Sequence, residues 1–95
     1  MDFGQALEKL KQGHKVARKG WNGKGMFIYL VNGTKVFREN LRNEAKQHVQ
    51  PTVPALTTCV QINAHIDMKA ADGSIVVGWL ASQTDMLAED WETVE

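Results

Sequence analysis

The sequence holds one cysteine, two prolines, one tyrosine and no excess of either charge. With Cys59 alone the chain closes no internal disulfide and supplies no thiolate metal cage, which excludes zinc-finger readings and fits a reducing compartment. No apolar run approaches the ~20 residues that a membrane span requires. Met1 to Leu10 carries Asp2, Glu8 and Lys9 and lacks a basic start followed by an apolar block, so no secretory signal is expected and a cytoplasmic location is. Lys+Arg and Asp+Glu both number 11, whereas a nonspecific nucleic-acid binder is normally strongly basic. Both prolines fall in Pro51-Thr-Val-Pro54, where they break any regular structure.

What remains is a chain of 95 residues, room for one small domain spanning 1–95, with a hydrophobic share of 43% near the globular average. The zero net charge hides an asymmetry. Residues 1–50 hold ten Lys/Arg against four Asp/Glu, net +6, and residues 51–95 hold one Lys against seven acids, net −6. Two readings follow: the halves, or two subunits, associate through opposite charge, or the first half builds an anion site around His14, Lys15, Arg18, Lys19 and Lys24.

Phe3, Ala6, Leu7 and Leu10 repeat at i, i+3, i+4 and i+7, predicting an amphipathic helix over 3–12. Asp2 with Gln5 forms a capping box before it, and Gly13 ends it. Lys15 to Lys19 alternates as a short strand, and the glycines of Gly20-Trp-Asn-Gly-Lys-Gly25 interrupt it with a loop. Met26 to Val31 is an apolar strand, and Asn32-Gly33 favours a type I′ turn into Thr34–Phe37, predicting a hairpin. Residues 38–50 are charged and only weakly helical in period, with Leu41, Ala45 and His48 or Val49 in rough register. From Leu56 to Lys69 alternation is strict. Leu56, Thr58, Val60, Ile62, Ala64, Ile66 and Met68 face one way, and His65 and Asp67 lie on the polar face, as one long strand. Asp72-Gly73 turns it back into Ser74–Val77, pairing near Ile66. Ser82, with an acid at Asp85, caps a short helix to about Glu89, and Trp91 and Val94 suit a closing edge strand. The fold class is α+β: a small antiparallel β-sheet with an N-terminal amphipathic helix and a short C-terminal helix.

Common chemical motifs fail. Gly20 and Gly25 have P-loop spacing, but Met26-Phe27 stands where lysine and a hydroxyl are needed. A dinucleotide fingerprint finds Ile28 at its third glycine. The glycines therefore either relieve a sharp turn or let backbone amides approach an anion beside Trp21. His65 and Asp67 begin a facial metal triad with no partner histidine nearby, so no metal or other cofactor is expected. No activated nucleophile accompanies them, and Ser82 lacks a nucleophile elbow, so no catalytic residue is assigned. The tryptophans are more telling. Trp91 reads as core, whereas Trp21 lies in a polar glycine loop between Lys19, Asn22 and Lys24, the setting of a base-stacking platform beside phosphate-binding cations. Trp79 precedes the Ser82 helix start, where free amides favour an anion or a hydroxyl-rich ligand. Asp85 either accepts from ribose hydroxyls or an exocyclic amine, or only completes the cap.

Three segments, Val16-Ala-Arg-Lys-Gly-Trp-Asn-Gly-Lys-Gly-Met26, His65-Ile-Asp-Met-Lys69 and Trp79-Leu-Ala-Ser-Gln-Thr-Asp-Met-Leu-Ala-Glu-Asp-Trp91, resemble the phage Thoeris anti-defence family of the second type. The resemblance covers residues 1–38 and 63–95. It implies a compact α+β protomer, assembled as a homotetramer in an infected bacterial host, that captures cyclic nucleotide immune signals such as glycocyclic ADP-ribose, and in some relatives cyclic di- or trinucleotides, without cleaving them. The family often reads Arg-Pro where this chain has Asn63-Ala64, which removes a cation, and residues 38–58 depart from its pattern. On this reading Trp21 stacks on a base, Arg18 meets a phosphate, and Asn22 with Asp85 holds base or ribose groups. Trp79, Ser82 and Gln83 line the pocket, and His65 with Asp67 contributes, in one arrangement from a neighbouring subunit. The competing readings are a nucleotide-hydrolysing enzyme using His65 and Asp67, a single-stranded nucleic-acid module using the basic half, and a protein-binding inhibitor.

Overall fold

The structure is a computed structural model that describes residues 1–49 and 59–95. The Pro51–Pro54 break and the start of the predicted long strand, residues 56–58, lie outside the described residues. In chain order the elements are α1 (Phe3–Lys11), β1 (Lys15–Arg18), β2 (Phe27–Val31), β3 (Thr34–Phe37), a 3₁₀ turn (Arg38–Asn40), α2 (Asn43–His48), β4 (Cys59–Ile62), β5 (His65–Lys69), β6 (Ile75–Val76), α3 (Gln83–Leu87) and β7 (Trp91–Val94). The α+β class with an antiparallel sheet is as expected. The chain forms two compact units, one of Met1–Val31 with His65–Glu95, the other of Asn32–Ala64.

The first unit is a five-stranded sheet in the order β6-β5-β2-β1-β7, antiparallel throughout. The cap expected for α1 is present: the Gln5 amide donates to Asp2 Oδ1 at 2.8 Å and the Asp2 amide donates to Gln5 Oε1 at 2.9 Å. At its other end Gly13 takes φ +93°, and the amides of Gly13 and His14 close back on the carbonyls of Leu10 and Lys9, each at 3.0 Å. This double closure satisfies carbonyls that the helix itself leaves open. Pairing of Val16 with Ile28, Ile28 with Met68 and Leu30 with Ile66 puts these side chains on one sheet face. Ala6, Leu10, Val16, Ile28, Met68 and Trp91 bury together as its core. Each large apolar side chain hidden in this way contributes ~1.5–3 kcal/mol.

The second unit pairs β3 with β4, aligning Val36 with Val60 and Thr34 with Ile62. Residues 38–48, weakly periodic in sequence, fold as the 3₁₀ turn followed by the short α2. Leu41 between them is buried.

Several expectations are corrected. The β2–β3 hairpin does not form. A type I′ turn needs φ > 0 at both central residues, and neither Asn32 nor Gly33 has it. Both edges of β2 are already taken by β1 and β5, while β3 pairs with β4. The predicted long strand is two strands in different sheets, β4 and β5, separated at Asn63-Ala64. The first strand stops at Arg18, whose successor Lys19 bonds through its amide to the Asp90 carbonyl. The last helix ends at Leu87, short of Glu89. The return strand is brief: Ile75 and Val76 align with Lys69 and Met68, and the Trp79 amide then reaches the Ile66 carbonyl at 2.7 Å.

Candidate functional site

The first unit gathers its three tryptophans. Trp91 opens β7 opposite Arg18 in β1 and is 2% exposed. Trp21, on the loop after β1, stands edge-on to Trp91 with ring centroids 5.3 Å apart and edge-on to Trp79 at 6.2 Å. The triangle closes between Trp79 and Trp91 at 6.3 Å. Trp21 and Trp79 are each half-buried, so these two carry indole surface to the outside while Trp91 supports them. Edge-to-face pairs of this kind contribute ~0.5–1.5 kcal/mol each beyond burial.

Asp85 ties the cluster to the sheet. Its Oδ1 accepts the Trp21 indole N–H at 3.2 Å and Arg18 Nη1 at 2.9 Å, and its Oδ2 accepts the Ser82 amide at 3.3 Å. The Asp85 amide donates to Ser82 Oγ at 3.0 Å, so the capping box expected at the start of α3 is present. The Asp85 carbonyl also accepts the Trp91 indole N–H at 3.0 Å. Burial opposes ionisation of Asp85, yet hydrogen bonds from Arg18, Trp21 and Ser82 outweigh it and hold its pKa below the ordinary carboxylate value.

Arg18 spans two carboxylates. Besides Asp85 it donates through Nε to Asp90 Oδ1 at 2.8 Å, and hydrogen bonding to Asp90 and then Asp85 raises its pKa above the usual arginine value. The basic half and the acidic half of the chain therefore meet at this arginine, as expected if the halves pack by opposite charge. Asp90 is the residue that sequence reasoning missed.

His65 and Asp67 sit on the sheet face opposite the core, in β5. Asp67 is 6% exposed, its Oδ1 3.4 Å from His65 Nε2 and accepting the Gly78 amide at 2.9 Å. Gly78 takes φ +81°, a conformation that suits glycine, immediately before Trp79. Asp67 and the Ile66 carbonyl thus hold the turn that presents Trp79. Asn22, Ser82 and Gln83 are exposed. Of the predicted site residues, the structure brings Arg18, Trp21, Trp79, Ser82 and Asp85 into one network; Asn22 and Gln83 follow Trp21 and Ser82 in the chain, and His65 and Asp67 connect to it through Gly78. In the glycine loop, the Gly20 amide donates to Asp90 Oδ2 at 2.8 Å, and a side chain at Gly23 would collide with Met26 and Ala71. Among the described residues no group of three or more His, Cys, Asp or Glu is placed to hold a metal ion.

A family model described as the Thoeris anti-defense 2-like domain (Tad2-like) matches residues 1–94. The chain belongs to this family. Over 94 residues it is 39% identical to a protein of Bacillus phage SP01 named Thoeris anti-defense 2, an alignment that covers 99% of this chain and 94% of that protein. Family membership bears out the resemblance drawn from the three sequence segments, and the match to the family also runs through residues 38–58. Among the described residues no helix is long and apolar enough to cross a membrane.

Proposed function

We propose that this chain is a phage anti-defence protein that binds cyclic nucleotide immune signals, glycocyclic ADP-ribose among them, and sequesters them without cleavage in the cytoplasm of an infected bacterium. The observation that carries the reading is the pair of half-buried indoles, Trp21 and Trp79, braced by Asp85 and Trp91 in a member of an anti-defence family.

Each side chain then has a task. Trp21 stacks on a base, with Trp79, Ser82 and Gln83 as walls. Arg18, with 15% of its side chain exposed, offers a phosphate the guanidinium N–H groups that Asp85 and Asp90 leave over. Asp85 keeps acceptor capacity on Oδ2 and works with the exposed Asn22 on base or ribose groups. Asp67 steadies the Gly78 turn ahead of Trp79, and His65 with Asp67 also contributes to the ligand site, in one arrangement from a neighbouring subunit. Sequestration requires an affinity that beats the immune effector's, and a nanomolar constant corresponds to about −12 kcal/mol. One base stack supplies ~1–3 kcal/mol, so several contacts must combine, which a homotetramer sharing its sites between subunits provides.

The test is recovery of the ligand. Glycocyclic ADP-ribose is incubated with the protein, the complex is separated by gel filtration, the protein is denatured, and the released material is analysed by mass spectrometry. Intact ligand, recovered in proportion to protein, is the expected result. Cleaved product would replace sequestration with hydrolysis at His65 and Asp67, and absence of any retained nucleotide would remove the reading.

A further inference from the structure

Three consecutive amides at the start of the Trp21 loop are anchored, and two of them end on one residue. The Lys19 amide donates to the Asp90 carbonyl at 3.1 Å, the Gly20 amide to Asp90 Oδ2 at 2.8 Å, and the Trp21 amide to the Arg18 carbonyl at 3.3 Å. The Asp90 carboxylate also takes Arg18 Nε at 2.8 Å on Oδ1 and, more weakly, Nη2 at 3.5 Å on Oδ2. One carboxylate therefore holds the last side chain of β1 and the first glycine of the loop together. A Cβ at position 20 would lie 2.8 Å from Asp90 Oδ2 and 3.2 Å from Arg18 Nη2, so a side chain there displaces the tips of the two groups that meet at this point.

We propose that Asp90 is a positioning residue for ligand capture: it latches residues 18–20 so that the Trp21 indole waits in its bound-state place against Asp85, Trp79 and Trp91. The inference rests on the reading that Trp21 contacts the nucleotide. Asp90 itself touches no ligand; it sets the fraction of molecules whose loop is ready. The apparent dissociation constant of a partly ready site rises as that fraction falls. The kinetics separate this role from direct contact. Losing the latch depletes the ready state before encounter and slows association, whereas losing a ligand contact speeds dissociation. Asn is the informative replacement, because Asp90→Asn keeps the shape but leaves one acceptor oxygen to serve both the Arg18 guanidinium and the Gly20 amide, and turns an NH₂ toward whichever of them the oxygen does not face.

The experiment has two arms on Asp90→Asn and on Gly20→Ala, which keeps the Asp90 charge but drives the carboxylate off the loop. Without ligand, amide hydrogen exchange followed by NMR should quicken about tenfold or more at positions 19, 20 and 21 in both variants, with Leu10 in α1 unchanged. With glycocyclic ADP-ribose, stopped-flow tryptophan fluorescence should show association about tenfold slower and dissociation within about twofold of wild type. Unchanged loop exchange overturns the latch. Faster exchange with unaltered association overturns the positioning role, as does a change confined to dissociation. If the wild-type protein binds no cyclic nucleotide, the proposed function falls, and the exchange arm alone decides whether Asp90 holds the loop.

Discussion

Replacing Trp21 by Phe and by Ala separates the two jobs assigned to the indole. Phe keeps an aromatic face but removes the N–H that Asp85 accepts at 3.2 Å. A hydrogen bond to a charged group contributes ~1.5–3 kcal/mol net, and the lower end applies because Arg18 Nη1 and the Ser82 amide remain on the carboxylate and keep it from being stranded. For a domain of this size ~1.5 kcal/mol lowers the thermal midpoint by about 6–12 °C. Ala forfeits in addition the edge contacts to Trp91 and Trp79, ~0.5–1.5 kcal/mol each. Stability should therefore fall in the order wild type, Phe, Ala, measured by circular dichroism at one fixed protein concentration. Affinity should fall differently. A phenyl ring still stacks, so Trp21→Phe should bind glycocyclic ADP-ribose within several-fold of wild type, whereas Trp21→Ala loses ~1–3 kcal/mol, about 5- to 150-fold. Equal affinities for wild type and Trp21→Ala, at a temperature where both are folded, would refute the stacking role. An unshifted melting midpoint for Trp21→Phe would refute the bracing by Asp85.

Other consequences follow from the same geometry. Ile28→Ala empties a fully buried position at the centre of the sheet and should cost ~2–5 kcal/mol in urea unfolding. Asp2→Ala removes the side-chain acceptor that caps α1 and should cost ~1 kcal/mol in the same assay. Asp85 and Asp90 both have folded pKa values below the ordinary 3.8, Asp90 chiefly through Arg18. Carboxylates shifted in this direction stabilise the fold fully above their unfolded value and lose that contribution as pH falls through the folded one. The melting midpoint should hold from neutrality to about pH 4–5 and drop below it, and Asp90→Asn should make that acid-side drop shallower.

The parts of this fold legible in the sequence are those whose cause is local. The α1 helix has its cap, its apolar stripe and its terminator within Asp2–Gly13, and α3 has its cap within Ser82–Asp85. The strand partners are not local. Asn32-Gly33 is a strong turn dipeptide, but a turn preference is small against the packing of Ile28 and Leu30 beside Met68 and Ile66, which gives β2 its neighbours. The alternation from Leu56 to Met68 misleads for a different reason. Ile62 and Ile66 are four residues apart, an even number, so the in-and-out phase runs straight through the break at Asn63-Ala64. Period tells which face a side chain takes and nothing about which sheet the strand joins.

The site divides in the same way. Trp21 stood out because an indole among lysines and glycines is out of place locally, and Trp79 because it precedes a capped helix start. Asp90 had no such mark; beside Glu89 it reads as ordinary surface acid. Its role exists only once β1 and β7 pair with Arg18 opposite Trp91, which brings position 90 alongside the exit of β1, where Lys19 and Gly20 leave the strand. One of the two readings of the opposite charges brings a carboxylate to the basic half, but choosing among seven acids requires the strand register. A charge pattern can therefore suggest that the two halves meet, while only the sheet register sets which acid meets which arginine, and Asp90, which readies the loop, carries no mark of its own in the sequence.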